Sequence, residues 1–200
     1  MRLDNRRPRF PLKIIFEGDS LTSGSGIPAT DSYPSQLMAE FAGTDVVSES
    51  FASELATLSE VISSRAPKID AAYDSARTNV LLLWAGTNDL KILGLTGRQT
   101  YDLYASYVSG RLARGYVVMP FTILPRWNPQ TPESFEPERQ AFNALVRANK
   151  PPHIVDVASD RRIGEPNACF NKTYFFNGTH MLRAGYTIVK DLAFQQLMAV

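Results

Sequence analysis

Short apolar runs alternate with helical patterns along the whole chain. Runs at 12–16, 46–49, 80–84, 116–123 and 153–157 predict five β-strands. They lack a clean apolar–polar alternation, which suits strands covered on both faces. Between them, Tyr101, Tyr104, Val108 and Leu112 recur at three- and four-residue spacing, as do Phe142, Leu145 and Val146. Leu182, Tyr186, Val189, Leu192 and Leu197 form the stripe of a last helix. Such alternation predicts the α/β class: a three-layer α/β/α sandwich around a mainly parallel, five-stranded sheet with right-handed crossovers, flavodoxin-like in outline. No repeat or low-complexity stretch divides the 200 residues, so 1–200 reads as a single domain with a basic tail over 1–11.

Two stretches, 124–137 with four prolines and 158–176, follow the fourth and fifth predicted strands. Both leave the C-terminal edge of the sheet, where open α/β folds bind ligands. Arg126 and Trp127, in the first of them, are candidate substrate contacts; the plain alternative is that Trp127 pins a proline-rich loop.

Composition narrows the function. An apolar content of 44% supports one substantial core. A net charge of +1 gives no general pull toward nucleic acid or an anionic membrane. Arg2, Arg6, Arg7 and Arg9 read as a solvated tail. The single cysteine, Cys169, excludes an internal disulfide framework and reads as a reduced bystander. No apolar run approaches a membrane span, and the N-terminus lacks the pattern of a leader, so the chain reads as cytoplasmic or as the mature form of a secreted one. Its two histidines and one cysteine offer no metal-ligand spacing, and no cofactor is expected.

Gly18-Asp19-Ser20-Leu21 directly follows the first predicted strand. A serine there sits on the turn leaving a strand, where its hydroxyl faces a crevice; alternatively it caps a helix. Trp84-Ala85-Gly86-Thr87-Asn88-Asp89 follows the third predicted strand, and Asn177-Gly178-Thr179-His180 precedes the last helix. Ester hydrolysis needs a nucleophile, a base and donors for the developing oxyanion. Ser20 is the candidate nucleophile. Two histidines narrow the choice of base: His153 opens a strand after Pro151-Pro152 and reads as structural, and His180 lies in the loop leading into the last helix. The Asn88 amide is a neutral donor suited to an oxyanion, with the Ser20 N–H as a second. Asp19 and Asp89 read as anchors for loop N–H groups.

In this order, G-D-S-L, G-x-N-D and a late histidine resemble the GDSL, or SGNH, family of serine esterases and lipases, over about 12–186. The resemblance implies His180 as general base and then general acid, in a metal-independent acyl-enzyme mechanism on esters such as acetylated carbohydrates, lysophospholipids, acyl thioesters or small aryl esters. The absence of a long lid points to a short acyl group, acetyl on a sugar. Two departures stand out. The family's third oxyanion donor, a glycine, aligns with Ser53, whose backbone N–H is retained; a helix cap is its plain alternative. Asn177 stands where the family has an aspartate that orients the histidine. Its carbonyl can accept from the imidazole Nδ1–H, whereas a turned amide donates and favours the wrong tautomer; the equivalent change in serine proteases lowers kcat by about 10⁴.

Three readings follow for Asn177: a slow hydrolase aided by Asn177 or by another carboxylate such as Asp156; a variant of an Asp enzyme, which deamidation at Asn177-Gly178 would regenerate; or a binding module whose catalysis has decayed. A nucleotide or phosphate binder using Gly24-Ser25-Gly26 is a further class, disfavoured because no phosphate-loop pattern follows the first strand. The N-glycosylation patterns at Asn171 and Asn177 read as chance matches.

Overall fold

The structure, a computed structural model, describes residues 11–200. The four tail arginines lie outside the described residues. In chain order the elements are β1 (Leu12–Gly18), α1 (Ser20–Ser23), α2 (Tyr33–Glu40), β2 (Val46–Ser50), α3 (Leu58–Glu60), a π-helical turn (Val61–Arg65), α4 (Ala66–Ala71), β3 (Thr78–Trp84), α5 (Thr87–Lys91), α6 (Gly97–Ala113), β4 (Val117–Pro120), α7 (Phe135–Ala148), α8 (Arg161–Gly164) and α9 (Arg183–Leu197). All strand pairings are parallel, in the order β2-β1-β3-β4. From β1 the chain steps outward to β2, then crosses back past β1 to β3. Connections therefore leave β1 and β3 in opposite directions, which opens a crevice at the C-terminal ends of these two strands.

Helices on both faces explain why the strands do not alternate. Ile14, Phe16, Val80, Leu82 and Trp84 pack with Tyr33 and Leu37 of α2 and with Tyr186, Val189 and Ala193 of α9. Ile15, Leu81 and Leu83 point the other way, onto Tyr104 and Tyr107 of α6 and Phe142 and Val146 of α7. Each fully buried apolar side chain of this size stabilises the fold by about 1.5–3 kcal/mol. Strand β2 departs from the double coverage expected: Val47, Ser48, Glu49 and Ser50 are exposed at the sheet edge.

The fifth strand is also corrected. The 153–157 segment makes a single parallel bridge, Val155 to Phe121, held by Val155 N–H to Pro120 O (2.8 Å) and Thr122 N–H to Val155 O (3.3 Å). Beyond it the chain turns sharply at Asp156, where Val157 N–H returns to Val155 O at 2.9 Å. The Thr122 hydroxyl then accepts from Ala158 N–H and donates to Asp156, so a side chain takes the place of the next ladder bond. Before the bridge, Pro151 and Pro152 have no N–H to offer. The sheet accordingly has four strands, and β4 ends at Pro120, short of the run to 123 read from the sequence.

Leu82 has no exposed surface at the centre of β3. Leu82→Ala is expected to lower unfolding free energy by about 2–5 kcal/mol in a urea titration, through lost burial and a residual cavity.

Candidate active site

The turn after β1 is built by close approach and capping. Gly18 lies opposite Trp84 in the β1–β3 register, and a Cβ on it would stand 2.3 Å from both the Trp84 carbonyl oxygen and the Thr22 hydroxyl. Only glycine fits. Asp19 then caps α1, its buried carboxylate accepting from Leu21 N–H at 2.9 Å. Ser20 is the first residue of α1, so its N–H has no intrahelical acceptor. Its hydroxyl oxygen lies 3.0 Å from His180 Nε2.

His180 comes from a loop closed by the antiparallel bridge Phe175 to Met181 and by Leu182 N–H to Tyr174 O at 2.7 Å. The Phe176 ring stacks on the imidazole, with centroids 5.8 Å apart. Asn177 folds its side chain over this loop. Its Oδ1 accepts from Thr179 N–H (3.0 Å) and from His180 N–H (2.8 Å), which leaves Nδ2 facing His180 Nδ1 at 3.0 Å. An amide nitrogen only donates, so Nδ1 must accept through its lone pair. The ring proton then resides on Nε2 and is donated to Ser20 Oγ. Turning the amide over would set NH₂ against two backbone donors, so the two N–H groups dictate the tautomer. An aspartate here would take the same two bonds with one oxygen and offer the other to Nδ1–H.

Asn88, in α5 just beyond β3, donates from Nδ2 to Ala56 O at 3.0 Å, which leaves its second amide hydrogen unused among the described residues. Its Oδ1 accepts from Arg126 Nη1 (3.3 Å), which also reaches Thr87 Oγ1 (3.3 Å). Both carboxylate oxygens of Asp89 take Leu58 N–H at 3.0 Å, tying this loop to the segment after β2. Ser53 is drawn the other way: its N–H is spent on Gly18 O at 3.2 Å. Its hydroxyl accepts from Arg65. The Ser53 backbone donor is thus turned toward the strand end rather than left free.

Sequence reasoning missed what Arg65 does. From the end of the π-helical turn, it donates to Glu17 and Gly18 O, to Phe51 O, and to Ser53 and Glu60. It thereby fastens the strand end that carries Ser20 to the segment after β2. The available signal was Glu17, an acid at the end of an apolar strand; nothing marked Arg65 itself.

Burial governs the titrating groups. It pushes Glu17 up to about 7 despite Arg65 at 2.9 Å, and Asp19 up to about 7 against the Leu21 N–H bond and the charge of Arg126. His180 is lowered, first by burial and then by Arg126, with Glu54 opposing.

The other candidates fall around or away from this centre. Trp127 is exposed beside Phe170, and its N–H donates to Gly178 O at 2.7 Å, joining the proline-rich loop to the turn that carries His180. Asp156 is committed to Arg147 and Thr122. The Ser25 hydroxyl of the Gly24-Ser25-Gly26 loop donates to Glu54, which sets a carboxylate where a phosphate would bind. Cys169 is buried in the core, its thiol pushed up by burial. Among the described residues no helix is long and apolar enough to cross a membrane, and no group of three or more His, Cys, Asp or Glu side chains converges.

Comparison with known proteins yields one family match and a set of shared folds. The model of the GDSL-like Lipase/Acylhydrolase family matches residues 16–188. A member of the lipolytic G-D-S-L family from Veillonella parvula superposes with TM-score 0.74 at 16% identity, covering 92% of this chain and 97% of that one. The psychrotrophic esterase EstA from Pseudoalteromonas sp. gives 0.70 at 14%, covering 94% and 97%. An acetyl xylan esterase, AlAXEase, gives 0.65 at 14%, covering 92% and 98%. At these identities the likeness is one of fold. No curated protein sequence matches the chain.

Asp19 supplies a pH test. Its carboxyl is raised from 3.8 to about 7 on folding, so the folded state holds the proton more tightly. The stability it contributes is full below about pH 4 and is lost as pH rises through 7. Asp19→Asn keeps an acceptor for Leu21 N–H and is expected to show a smaller loss of stability between pH 5 and 8 than the parent, read from urea midpoints across that range.

Proposed function

The chain belongs to the GDSL-like lipase/acylhydrolase family, and we propose that within it the protein is a carboxylic ester hydrolase working through a serine acyl-enzyme on short acyl esters, acetylated carbohydrates foremost. The observation that carries this reading is the 3.0 Å approach of Ser20 Oγ to His180 Nε2, from positions 160 residues apart. Ser20 attacks the ester carbonyl and passes its proton to Nε2. The oxyanion faces the Ser20 N–H and the free Asn88 amide hydrogen. Collapse expels the alcohol, protonated by His180, and water then releases the acid by the same route in reverse.

The exposed Trp127–Phe170 pair supports a carbohydrate: it flanks the His180 loop with an apolar surface of the kind a sugar ring packs on. The shared fold with an acetyl xylan esterase agrees with an acetyl group. No cofactor enters the scheme.

Asn177 limits the rate in this scheme. Base action needs Nε2 unprotonated, whereas the amide holds the proton there. This same contact favours a second reading, a ligand-binding domain that keeps the crevice without turnover.

Asn177→Asp is expected to raise kcat on p-nitrophenyl acetate by about 10³–10⁴-fold with little change in KM. A neutral organophosphonate ester should label the Asn177→Asp protein, and Ser20→Ala should abolish the label. Absence of labelling in Asn177→Asp would favour the binding domain. In pH profiles of kcat/KM, the lowered His180 places the acid limb of the parent below about pH 6.5. The limb should move up in Asn177→Asp, because a carboxylate at Nδ1 stabilises the imidazolium. An unmoved limb would mean that His180 is not the group observed.

A further inference from the structure

Arg126 stands apart from the other arginines. Arg65, Arg77, Arg98, Arg111, Arg114, Arg139, Arg147, Arg161, Arg162 and Arg183 each have a carboxylate within ion-pair distance. Arg126 has none among the described residues. Its Nη1 reaches only the neutral oxygens of Thr87 and Asn88, both at 3.3 Å, and its Nε is buried without a partner. The guanidinium also lies over the Phe135 ring, 5.9 Å from the centroid. Its charge is felt by His180 and by Asp19, the latter shut beneath the Ser20 turn and itself pushed toward the neutral form.

A half-buried cation with long, neutral contacts is incompletely compensated, and a guanidinium matches a carboxylate with paired donors. We propose that Arg126 is a binding subsite for an anionic group of the substrate, so that the preferred ester bears a carboxylate within reach of the scissile bond. This rests on the esterase reading and narrows its substrate class. The carboxylate would give Arg126 the charged acceptor that the protein withholds. Glu54, bonded to Ser25 and near enough for its charge to act on His180, would repel an anion arriving from that side.

The test uses the full chain carrying Asn177→Asp, with matched ester pairs. On the acyl side these are p-nitrophenyl hemisuccinate and p-nitrophenyl butyrate; on the alcohol side, acetoxyacetate and acetoxyacetamide. At least one pair should favour its anionic member by about 10- to 100-fold in kcat/KM, chiefly through KM. Arg126→Gln should collapse that ratio and Arg126→Lys should restore part of it. A ratio near one in the parent, or one that survives Arg126→Gln, overturns the proposal. So does an equal loss on both members of a pair, which would make Arg126 only a support for Asn88. If no ester is turned over and the phosphonate does not label Ser20, the esterase reading fails on its own. Succinate binding by calorimetry then decides the subsite: binding lost in Arg126→Gln upholds it, and no binding to the parent sinks it.

Discussion

Parallel pairing of β1 with β3 is the constraint on which the rest depends. The register sets Gly18 against Trp84 so closely that no side chain fits at position 18. The two strands therefore end together, and the segments leaving them diverge to opposite sides of the sheet. Ser20 opens the helix after one and Asn88 stands in the helix after the other. The buried aromatic group of Phe16, Tyr33, Trp84 and Phe121 braces these strand ends from below. Arg65 and Asp89 fasten the segment after β2 to the same edge through charge-assisted bonds. Precision at the crevice comes from this anchoring, since α1 and α5 are too short to be stable by themselves.

The contact between Asn177 and His180 shows how backbone geometry decides chemistry. Two N–H groups fix which end of the amide is which, and the amide in turn fixes which ring nitrogen carries the proton. Carboxylate and amide are close in shape, but the amide brings no negative charge and places the ring proton on the other nitrogen, and the proposed function turns on that difference.

Much of this was legible in the sequence, for identifiable reasons. Glycine, aspartate and serine directly after an apolar run encode a tight capped turn, because the backbone must approach a neighbour and its orphan N–H groups need an acceptor. The helices over 97–113 and 183–197 announce themselves by periodicity. The fifth strand misled because five apolar-rich residues look alike whether or not their backbone pairs; the prolines before it and the turn at Asp156 decide the outcome. Double coverage of β2 misled for a related reason, since residue types do not reveal which strand lies at an edge. At the site, Ser20, Asn88 and His180 stand in recognisable motifs. The Ser53 N–H and Arg65 depend instead on long-range closure, which no local pattern encodes. Asn177 was legible as a departure, but the sense of its amide became legible only with the loop in place.

The buried sulfur of Cys169 has a consequence of another kind. Only its thiolate reacts with alkylating reagents, and burial both shields the atom and disfavours that form. Modification must wait for the surrounding core to open. Where reclosing outpaces reaction, the labelling rate measures the fraction of time that this core stands open, so the native sulfur reports on it without an engineered site.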